Sequence, residues 1–437
     1  LFVCKFNLIA SIWPLAFPQT TFTNSCRFND DSSDYLSRTP GSESNRKTFT
    51  FSAWVKRSEI GTATSERNCI FSAGTANENK IEIMFYGDKF QFVEKQSDAI
   101  KLNLQTNRLF RDVSAWYHLV VAVDTTQSTS SDRIKIYVNS TQISDFASST
   151  YPSQDHTTYI NDDRIHNIGR RGYSDYYSFD GYMTEIILVD GQQLTPTSFG
   201  ATNPVTNIWE PIAYTGTYGT NGFKLNFSDS SNLGDDTSGN GNDYTVGNLT
   251  SIDQVSDTPS NNFCTLNPLD FTGSITASEG NTVFQGGRYK ATFGVSSGKW
   301  YWEAKRLNAP DEAYIGIKAD DGDWNNSFGN SYTVYTSNGK YYLNGSDQGS
   351  YGSSSTTNDI LIFALDMDNG KFYIGENGTF YNSGDPAAGS NPMASSISGT
   401  YLPAVINNSA SGTDQYSFNF GNSSFSISSG NADANGF

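Results

Sequence analysis

The feature that most constrains this chain is an alternation of apolar and polar residues with a period of two. In KTFTFSAWVKR, Phe49, Phe51, Ala53 and Val55 fall on one side of an extended segment, and the residues between them fall on the other. The same period recurs in AWYHLVVAVD, DRIKIYVN and FDGYMTEIILVDG, and no amphipathic helix of useful length interrupts it. A period of two belongs to β-strands with one buried face. The pattern therefore predicts an all-β protein.

The alternating segments form two groups. The first occupies residues 27–203, and a stretch rich in Gly, Asn, Asp and Ser follows over residues 204–265. The pattern restarts near SSGKWYWEAKR and fills residues 266–437. A chain of 437 residues is too long for one ordinary hydrophobic core. We therefore predict two antiparallel β-sandwiches joined by a turn-rich connector that contains one or two strands.

The N-terminal residues 1–26 stand apart from both groups. Their apolar stretch is interrupted by Lys5, Asn7 and Pro14, which makes it too short and too broken for a membrane span. We predict an anchoring or extension segment, with the remnant of a signal peptide as the alternative. Because the chain begins without Met and stops at Asn-Gly-Phe, we expect a fragment of a longer polypeptide whose second sandwich is incomplete at its C-terminus.

Charge and cysteine content exclude several classes of function. The formal net charge is -17, and no cluster of Lys and Arg is present to bind a phosphate backbone, so a nucleic-acid partner is not expected. Cys4, Cys26, Cys69 and Cys264 form no CxxC pair, which opposes zinc and thioredoxin-like chemistry. Isolated buried thiols are the expectation, and one or two disulfides remain the alternative.

The first group of strands resembles the laminin-G-like, or concanavalin A-like, lectin family. The matching segments are FTFSAWVKR, then WYHLVVAVD followed by IKIYVN, and then FDGYMTEIILVDGQQLTP. They occur in the family's order and cover residues 27–203. The resemblance implies a two-sheet jelly roll of the kind used to bind sugars or protein surfaces.

The second group resembles the SPRY family. GKWYWEAKR, the AYIGI strand and DILIFALDMDNGKFYIGENG carry the resemblance, and Asp368-Asn369-Gly370 is a tight-turn signal within the last of them. SPRY modules are also β-sandwiches, and they bind partners through loops without catalysing reactions. The pairing of these two modules, joined by the SGNGND and CTLNPLD phrases, resembles virion proteins of tailed phages, especially marine ones.

The sequence holds no pattern of catalytic residues. Glycoside hydrolases of the laminarinase type need two carboxylates at alternate positions of one strand, and their ExDxxE pattern is absent. Glu82 and Glu185 are isolated on their strands and are expected to face solvent. His118 lies inside a strand and is expected to be a hydrogen-bonded structural residue. No serine occupies a GxSxG elbow. We therefore predict that the chain is not an enzyme.

Two loops are candidates for binding a glycan or a protein partner. GRRGYSDYYSFDG, residues 169–181, brings together arginines and tyrosines, which can hydrogen-bond and stack on a sugar ring and are also favoured at protein interfaces. DDGDWNNSFGN, residues 320–330, offers one tryptophan. In the alternative interpretation the tyrosines only cover the edge of the sandwich. The candidate residues are Arg170, Arg171, Tyr173, Tyr176, Tyr177 and Trp324.

A third loop has the spacing of a cation ligand set. Asp236, Ser238, Asn240 and Asp243 place oxygen-bearing side chains around two glycines, as the start of an EF-hand loop does. The bidentate Glu of such loops is missing, and Asx-rich loops with Gly are also ordinary turns. A plain turn is the favoured interpretation and Ca²⁺ the alternative; no cofactor is otherwise expected.

The resemblances and the absence of catalytic patterns lead to one functional hypothesis. We expect a structural virion protein of a tailed phage, either a tail-fibre or a capsid-decorating component, located on the extracellular virion. It is expected to be homo-oligomeric by analogy with fibre proteins, to contact other virion subunits, and to bind a host-surface glycan. A secreted or cell-surface adhesin is the first alternative, and a polysaccharide hydrolase is the second.

Overall fold

The computed structural model describes residues 22–61, 67–172, 177–308, 313–321, 328–407, 413–422 and 425. These residues fall into two compact units, one that ends at Asn262 and one that begins at Phe263. Both units are built from antiparallel strands, as the period of two predicts. The fold class is therefore confirmed as two β-sandwiches of jelly-roll type. The predicted N-terminal anchoring segment falls almost entirely outside the described residues.

The first unit consists of two large sheets and one small hairpin. Its strands are β1 (Ser25–Phe28), β2 (Tyr35–Arg38), β3 (Thr48–Arg57), β4 (Arg67–Ala76), β5 (Asn79–Tyr86), β6 (Lys89–Gln96), β7 (Ala99–Leu109), β8 (Trp116–Asp124), β9 (Ile134–Val138), β10 (Thr141–Ile143), β11 (Phe146–Thr150), β12 (His166–Ile168), β13 (Gly181–Asp190), β14 (Gly200–Thr202), β15 (Trp209–Pro211), β16 (Phe223–Leu225), β17 (Thr245–Gly247) and β18 (Gln254–Val255). A short α-helix, α1 (Ser130–Arg133), precedes β9, and single turns of 3-10 helix occupy Pro196–Ser198 and Ser251–Asp253.

The two large sheets pack face to face around one core. Sheet A has the order β10-β9-β8-β3-β13-β1-β18, with β16 also paired to β13, and sheet B has the order β11-β7-β6-β5-β4-β12-β2-β17. Phe49, Phe51, Ala53 and Val55 of β3 are fully buried in this core, as their spacing predicts. The ring of Phe51 stacks on Phe71 of sheet B at a centroid distance of 4.8 Å. Large side chains from both sheets therefore fill the space between them.

The stretch predicted as a connector contributes strands to the first sandwich. Three of its short strands join the large sheets: β16 pairs with β13, β17 pairs with β2, and β18 pairs with β1. β15 forms the small hairpin with β14. Phe223 and Leu225 of β16 are fully buried. The difference from the sequence interpretation arises because strands of two or three residues, set among turn residues, are too short to show an alternating pattern.

The second unit contains one large antiparallel sheet. Its strands are β19 (Leu266–Ser278), β20 (Val283–Ala291), β21 (Lys299–Asn308), β22 (Ala313–Ala319), β23 (Ser331–Tyr335), β24 (Lys340–Leu343), β25 (Ser346–Ser350), β26 (Ile360–Asp366), β27 (Lys371–Glu376), β28 (Thr379–Phe380), β29 (Tyr401–Asn407) and β30 (Gln415–Asn419), and a turn of 3-10 helix occupies Tyr381–Ser383. Sheet C has the order β25-β24-β23-β22-β29-β20-β30-β21-β26-β27-β28, and β19 pairs with β20. Side chains such as Trp302 and Phe363, stacked at 5.1 Å, fill its core.

Local turn signals in the sequence are confirmed in this unit. Asp366 of β26 pairs with Lys371 of β27, so Asp368-Asn369-Gly370 forms the predicted tight turn. Gly370 adopts a φ of 62°, and the backbone N–H of Asn369 donates to the Asp366 carboxylate at 3.0 Å. The left-handed conformation explains why glycine occupies position 370.

The described cysteines carry free thiols, and the described helices are short. Within the ranges that the structure describes, Cys26, Cys69 and Cys264 are free thiols, the first two of them buried. Among the same residues, no helix is long and apolar enough to cross a membrane.

Candidate functional site

The predicted loop of residues 169–181 lies on the outer face of sheet B, but its arginines are held by the protein. Arg171 is buried and forms a two-pronged ion pair with Glu82 of β5, in which Nη2 lies 3.3 Å from Oε2. The guanidinium of Arg170 packs over the ring of Tyr35, and its Nε donates to Asn167 at 3.2 Å. Both arginines therefore fix the loop to the sheet. Tyr173, Tyr176 and Trp324 lie outside the described residues.

Tyr177 is the tyrosine of the predicted loop that lies among the described residues, and it packs between two arginines. Its ring lies 4.1 Å from the Arg171 guanidinium and 4.9 Å from that of Arg67, which also contacts Tyr86 at 4.9 Å. Aromatic rings and cations thus alternate in one stack, in the spatial order Tyr86, Arg67, Tyr177 and Arg171. Tyr177 and Tyr86 are half-buried. We call these four residues the Tyr–Arg stack.

A row of polar side chains continues the same face beside the Tyr–Arg stack. Gln91 of β6 lies opposite Met84 of β5 on one side and Gln105 of β7 on the other. The Gln91 amide donates to Asn103 Oδ1 at 2.7 Å, and the Asn103 amide donates to Ser148 Oγ at 3.1 Å. Because each amide keeps further donor or acceptor capacity, a half-exposed row of this kind can hydrogen-bond hydroxyl groups of a ligand. Gln91, Gln105, Asn103 and Ser148 form what we call the amide row.

The two isolated strand carboxylates are buried, so the expectation that they face solvent is wrong. Glu82 is bound by Arg171 and by Lys80, whose Nζ lies 2.9 Å from Oε2. Glu185 sits at a β-bulge of β13 with a φ of 47°, and its carboxylate pairs with Lys224 Nζ at 3.0 Å. Burial raises the pKa of Glu185. The sequence pattern missed these pairs because Arg171 and Lys224 are distant in sequence from the carboxylates that they bind, and Lys80 at the alternate position of β5 looks like an ordinary surface residue.

His118 is a structural residue, as expected. Trp209 Nε1–H donates to His118 Nδ1 at 3.1 Å, so the neutral ring carries its proton on Nε2. Nε2 lies 2.9 Å from Ser52 Oγ and donates to it, so it cannot remove the hydroxyl proton. The ring also stacks on Trp54 at 4.7 Å, and burial lowers its pKa to about 3. This Ser–His pair has the opposite polarity to a nucleophile and its base.

The polar side chains of the loop predicted as a possible calcium site form hydrogen bonds with other groups of the chain itself. The Asp236 carboxylate accepts from the backbone N–H groups of Lys224, Ser238 and Asn242 at 2.8–2.9 Å and from the Ser238 hydroxyl at 2.9 Å. Asp243 accepts from the Asp236 N–H at 2.9 Å, and the Asn240 amide donates to the carbonyl groups of Gly219 and Gly222. These bonds support the ordinary turn. In the described part of the chain, no three His, Cys, Asp or Glu side chains are grouped as a metal site.

The second unit carries an open groove next to an exposed tryptophan. Residues 292–297, between β20 and β21, and Trp300 line a space of about 420 Å³. Trp300 Nε1–H donates to the Ser297 carbonyl at 2.8 Å, which fixes the indole ring while leaving it 38% exposed. The sequence analysis did not select this tryptophan, because in KWYWEAK it shares the two-residue period of Trp302 and Ala304, which lie in the core, and the pattern therefore assigns it to the core as well.

The amide row was also missed by the sequence analysis. KFQFVEKQ and KLNLQTNR carry Gln91, Asn103 and Gln105 at alternate positions, which is the ordinary pattern of any strand with one polar face. What distinguishes these residues is that three neighbouring strands bring them side by side. Register between strands is a tertiary property, so a single strand could not reveal it.

Comparison with known proteins agrees with the architecture. Residues 30–198 match the family model of the concanavalin A-like lectin/glucanases superfamily. No curated protein matches the chain. Among solved structures, the chain is similar to the SPRY domain of human HERC1, at 19% identity over 35% of this chain and 96% of that chain, with a TM-score of 0.30.

A second similar structure is the native heptameric SAP-like pentraxin from Limulus polyphemus. It shares 13% identity over 40% of this chain and 78% of that chain, with a TM-score of 0.29. The predicted resemblance of the first strands is confirmed by the family model: over residues 30–198 this chain is similar to the concanavalin A-like lectin/glucanases superfamily.

Proposed function

We propose that this chain is a non-enzymatic binding protein whose first unit holds a carbohydrate on the outer face of sheet B. The observation that carries the proposal is the amide row, in which Gln91, Asn103 and Ser148 are hydrogen-bonded across three strands and remain half-exposed. Sugars offer many hydroxyl groups, and side-chain amides can donate to and accept from them. The match to a superfamily named for lectins and glucanases agrees with a sugar ligand.

The Tyr–Arg stack supports the same ligand class. Tyr86 follows Met84 on the face of β5, and Met84 lies directly opposite Gln91, so an aromatic surface adjoins the hydrogen-bonding groups. A rigid aromatic ring beside polar groups is a common composition of small-ligand sites. Arg171 holds Tyr177 in place through its ion pair with Glu82, so the surface is formed before the ligand arrives.

The environment of the carboxylates favours binding without hydrolysis. A retaining or inverting glycosidase needs two free carboxyl groups that face the sugar. On this face Glu82 is neutralised by Arg171 and Lys80. The proposed binding requires no cofactor.

We expect the amide row to determine carbohydrate affinity. With the full chain and a panel of cellohexaose, laminarihexaose and maltohexaose, replacing Gln91 and Asn103 together by Ala should weaken binding of any recognised sugar about tenfold or more, since each hydrogen bond contributes about 1 kcal/mol. Isothermal titration calorimetry measures the dissociation constant. Gln142→Ala, on the exposed edge strand β10, is the matched control and should bind like the wild type. Unchanged affinity in the double variant would contradict the proposed face.

We further propose that the binding protein is a tail-fibre or capsid-decorating component of a tailed phage. The pairing of a laminin-G-like with a SPRY-like module motivates this setting, together with an acidic chain of net charge -17. Many copies on one particle would turn a weak sugar contact into strong adhesion. A secreted or cell-surface adhesin with the same units is the alternative setting.

Immunogold electron microscopy of particles from the source sample tests the virion setting. Antibody against this chain is expected to label tail tips or capsid surfaces. Gold on tails favours host adhesion, and gold on capsids favours decoration. Label on cell envelopes with bare virions would exclude the phage setting while leaving the carbohydrate site to be judged by its own affinity measurement.

A further inference from the structure

A lysine, an aspartate and an asparagine meet at the end of the first unit. Lys56 belongs to β3, an interior strand of sheet A that lies between β8 and β13. Asp257 and Asn262 follow β18 by a few residues. The side chains of Lys56 and Asp257 are both fully buried, whereas Asn262 is exposed. An ion pair at this depth needs close and well-satisfied geometry, because desolvation of both charges is costly.

The three side chains are joined by hydrogen bonds. Lys56 Nζ is 2.8 Å from Asp257 Oδ2 and 2.8 Å from Asn262 Oδ1. Because a carbonyl bond is about 1.2 Å long, the Asn262 Cγ lies within about 4 Å of Nζ. That separation is close to the range of about 3–3.5 Å from which positioned groups react.

The surrounding contacts hold this arrangement in place. Trp116 Nε1–H donates to Asp257 Oδ1 at 2.9 Å, and Ser25 Oγ donates to the Asp257 carbonyl at 2.6 Å. The Asn262 amide N–H donates to the Ser114 carbonyl at 2.8 Å. Between Asp257 and Asn262, Thr258 and Asn261 pair through reciprocal backbone hydrogen bonds of 3.2 and 3.0 Å.

Aromatic rings cover the lysine. The ring of Tyr182, itself fully buried, lies 5.6 Å from Lys56 Nζ, and Trp116 and Tyr182 are 6.5 Å apart. Such surroundings exclude water from the amine and the carboxylate, so a proton can pass between them without competition from solvent. The exposed amide of Asn262 faces the side from which a small product can leave.

We propose that Lys56 and Asn262 form an intramolecular isopeptide bond, with Asp257 as the proton shuttle. Asp257 takes a proton from the Lys56 ammonium group. The lone pair of the resulting neutral amine then attacks Asn262 Cγ. The Cγ–Nζ bond forms, the Cγ–Nδ2 bond breaks, and the proton returns from Asp257 to the departing nitrogen. As the amide forms, Lys56 Nζ gives up a second proton, so the departing NH2 group receives two protons in all and leaves as ammonium ion, which carries away the charge of Lys56. The reaction is an amide exchange and needs no oxidant, reductant or cofactor.

The bond would change how the first unit bears load. Residues 209–255 contribute only short strands, so tension applied from residue 263 onward would peel β18, β17 and β16 from the sheets in turn. A covalent link from Asn262 to Lys56 transfers that tension directly to β3, which pairs along its length with two neighbours. This inference rests on the side-chain geometry and does not depend on the proposed carbohydrate site.

Mass spectrometry of the full chain tests the proposal. The intact mass is expected about 17 Da below the mass of the sequence, the loss of one ammonia. Because Asn-Gly succinimides lose the same mass, the decisive readout is a branched peptide in a protease digest that joins the segments containing Lys56 and Asn262. Asn262→Ala and Asp257→Asn should each abolish the branched peptide.

Asn261→Ala is the matched control, since Asn261 is the neighbouring exposed asparagine and pairs with Thr258 through its backbone groups, which Ala keeps, so the branched peptide should persist. Circular dichroism on each variant shows whether it is folded. Because Asn262 is exposed, Asn262→Ala is expected to remain folded and so separates loss of the bond from loss of the fold. Separate, unlinked peptides from the folded wild-type chain would overturn the proposal, as would a branched peptide that survives in Asn262→Ala.

Discussion

A fragment of residues 22–203 is expected to be unfolded, whereas a fragment of residues 22–262 is expected to unfold cooperatively. The shorter fragment contains the whole region that matches the superfamily model, residues 30–198. It lacks β16, β17 and β18, which pair with three different strands of the two large sheets. It also lacks Asp253 and Asp257, the partners of the buried cations Arg27 and Lys56.

The size of the effect follows from the core. The missing segment contributes six buried side chains to the cluster between the sheets, namely Phe223, Leu225, Phe227, Leu233, Tyr244 and Leu249. Full burial of one large apolar side chain contributes about 1.5–3 kcal/mol, so their loss costs on the order of 10 kcal/mol. That amount is comparable to the whole stability of about 5–15 kcal/mol of a typical domain.

Urea denaturation followed by tryptophan fluorescence, together with the dispersion of amide signals in NMR spectra, measures the outcome. Residues 22–262 should give one sigmoidal transition, and residues 22–203 should give none. A control fragment that ends at residue 250 retains all six core side chains but lacks both ion-pair partners, so it separates the two contributions. A cooperative transition of residues 22–203 at the same urea concentration as the longer fragment would contradict the prediction.

The sequence predicted the long strands correctly because each carries its own evidence. Apolar and polar residues alternate from Phe49 to Val55 over a full strand. The turn residues Asp368-Asn369-Gly370 mark where one strand ends and the next begins. The strands between residues 204 and 262 are two or three residues long, so no period can be read from them. Their membership in the first sandwich depends on pairing with strands more than thirty residues away, which is a tertiary property.

The candidate sites show the same limit. Loop composition pointed to Arg170 and Arg171, and the structure assigns both to internal contacts with Tyr35 and Glu82. An arginine in a loop looks the same in sequence whether its partner is a ligand or a buried carboxylate. The amide row and the Lys56–Asp257–Asn262 cluster each combine residues from separate segments, so only the fold brings them together.

The free energy of unfolding is expected to fall as the pH decreases from 7.5 to 4.5, with two buried histidines as a principal cause. Burial lowers the pKa of His118 from 6.5 to about 3 and that of His166 from 6.5 to about 4. His166 is neutral and bonded on both nitrogens: Nδ1–H donates to the Arg164 carbonyl at 2.8 Å, and Nε2 accepts from the Asn161 N–H at 3.2 Å. Both folded-state pKa values lie below the unfolded value.

The sign follows from proton uptake. Between pH 6.5 and the folded-state pKa values, the unfolded chain binds protons at these positions and the folded chain does not, so acid favours unfolding. The stabilisation is complete above pH 6.5 and is lost progressively as the pH falls toward 4 and then 3. At 1.36 kcal/mol for each pH unit, each histidine accounts for a loss of about 2.5 kcal/mol by pH 4.5.

His118→Gln and His166→Gln isolate these contributions, because glutamine keeps one donor and one acceptor but does not titrate. Urea denaturation at pH 7.5 and 4.5 gives the pH-dependent difference for each chain. That difference should shrink by about 2.5 kcal/mol in each variant, and carboxylate titration cancels because it is common to all of them. NMR titration provides the direct check: the Hε1 signals of His118 and His166 should not shift between pH 7.5 and 5. Histidine signals that all titrate near pH 6.5 would mean that these rings reach solvent, and the packing of His118 between Trp54 and Trp209 would then be wrong.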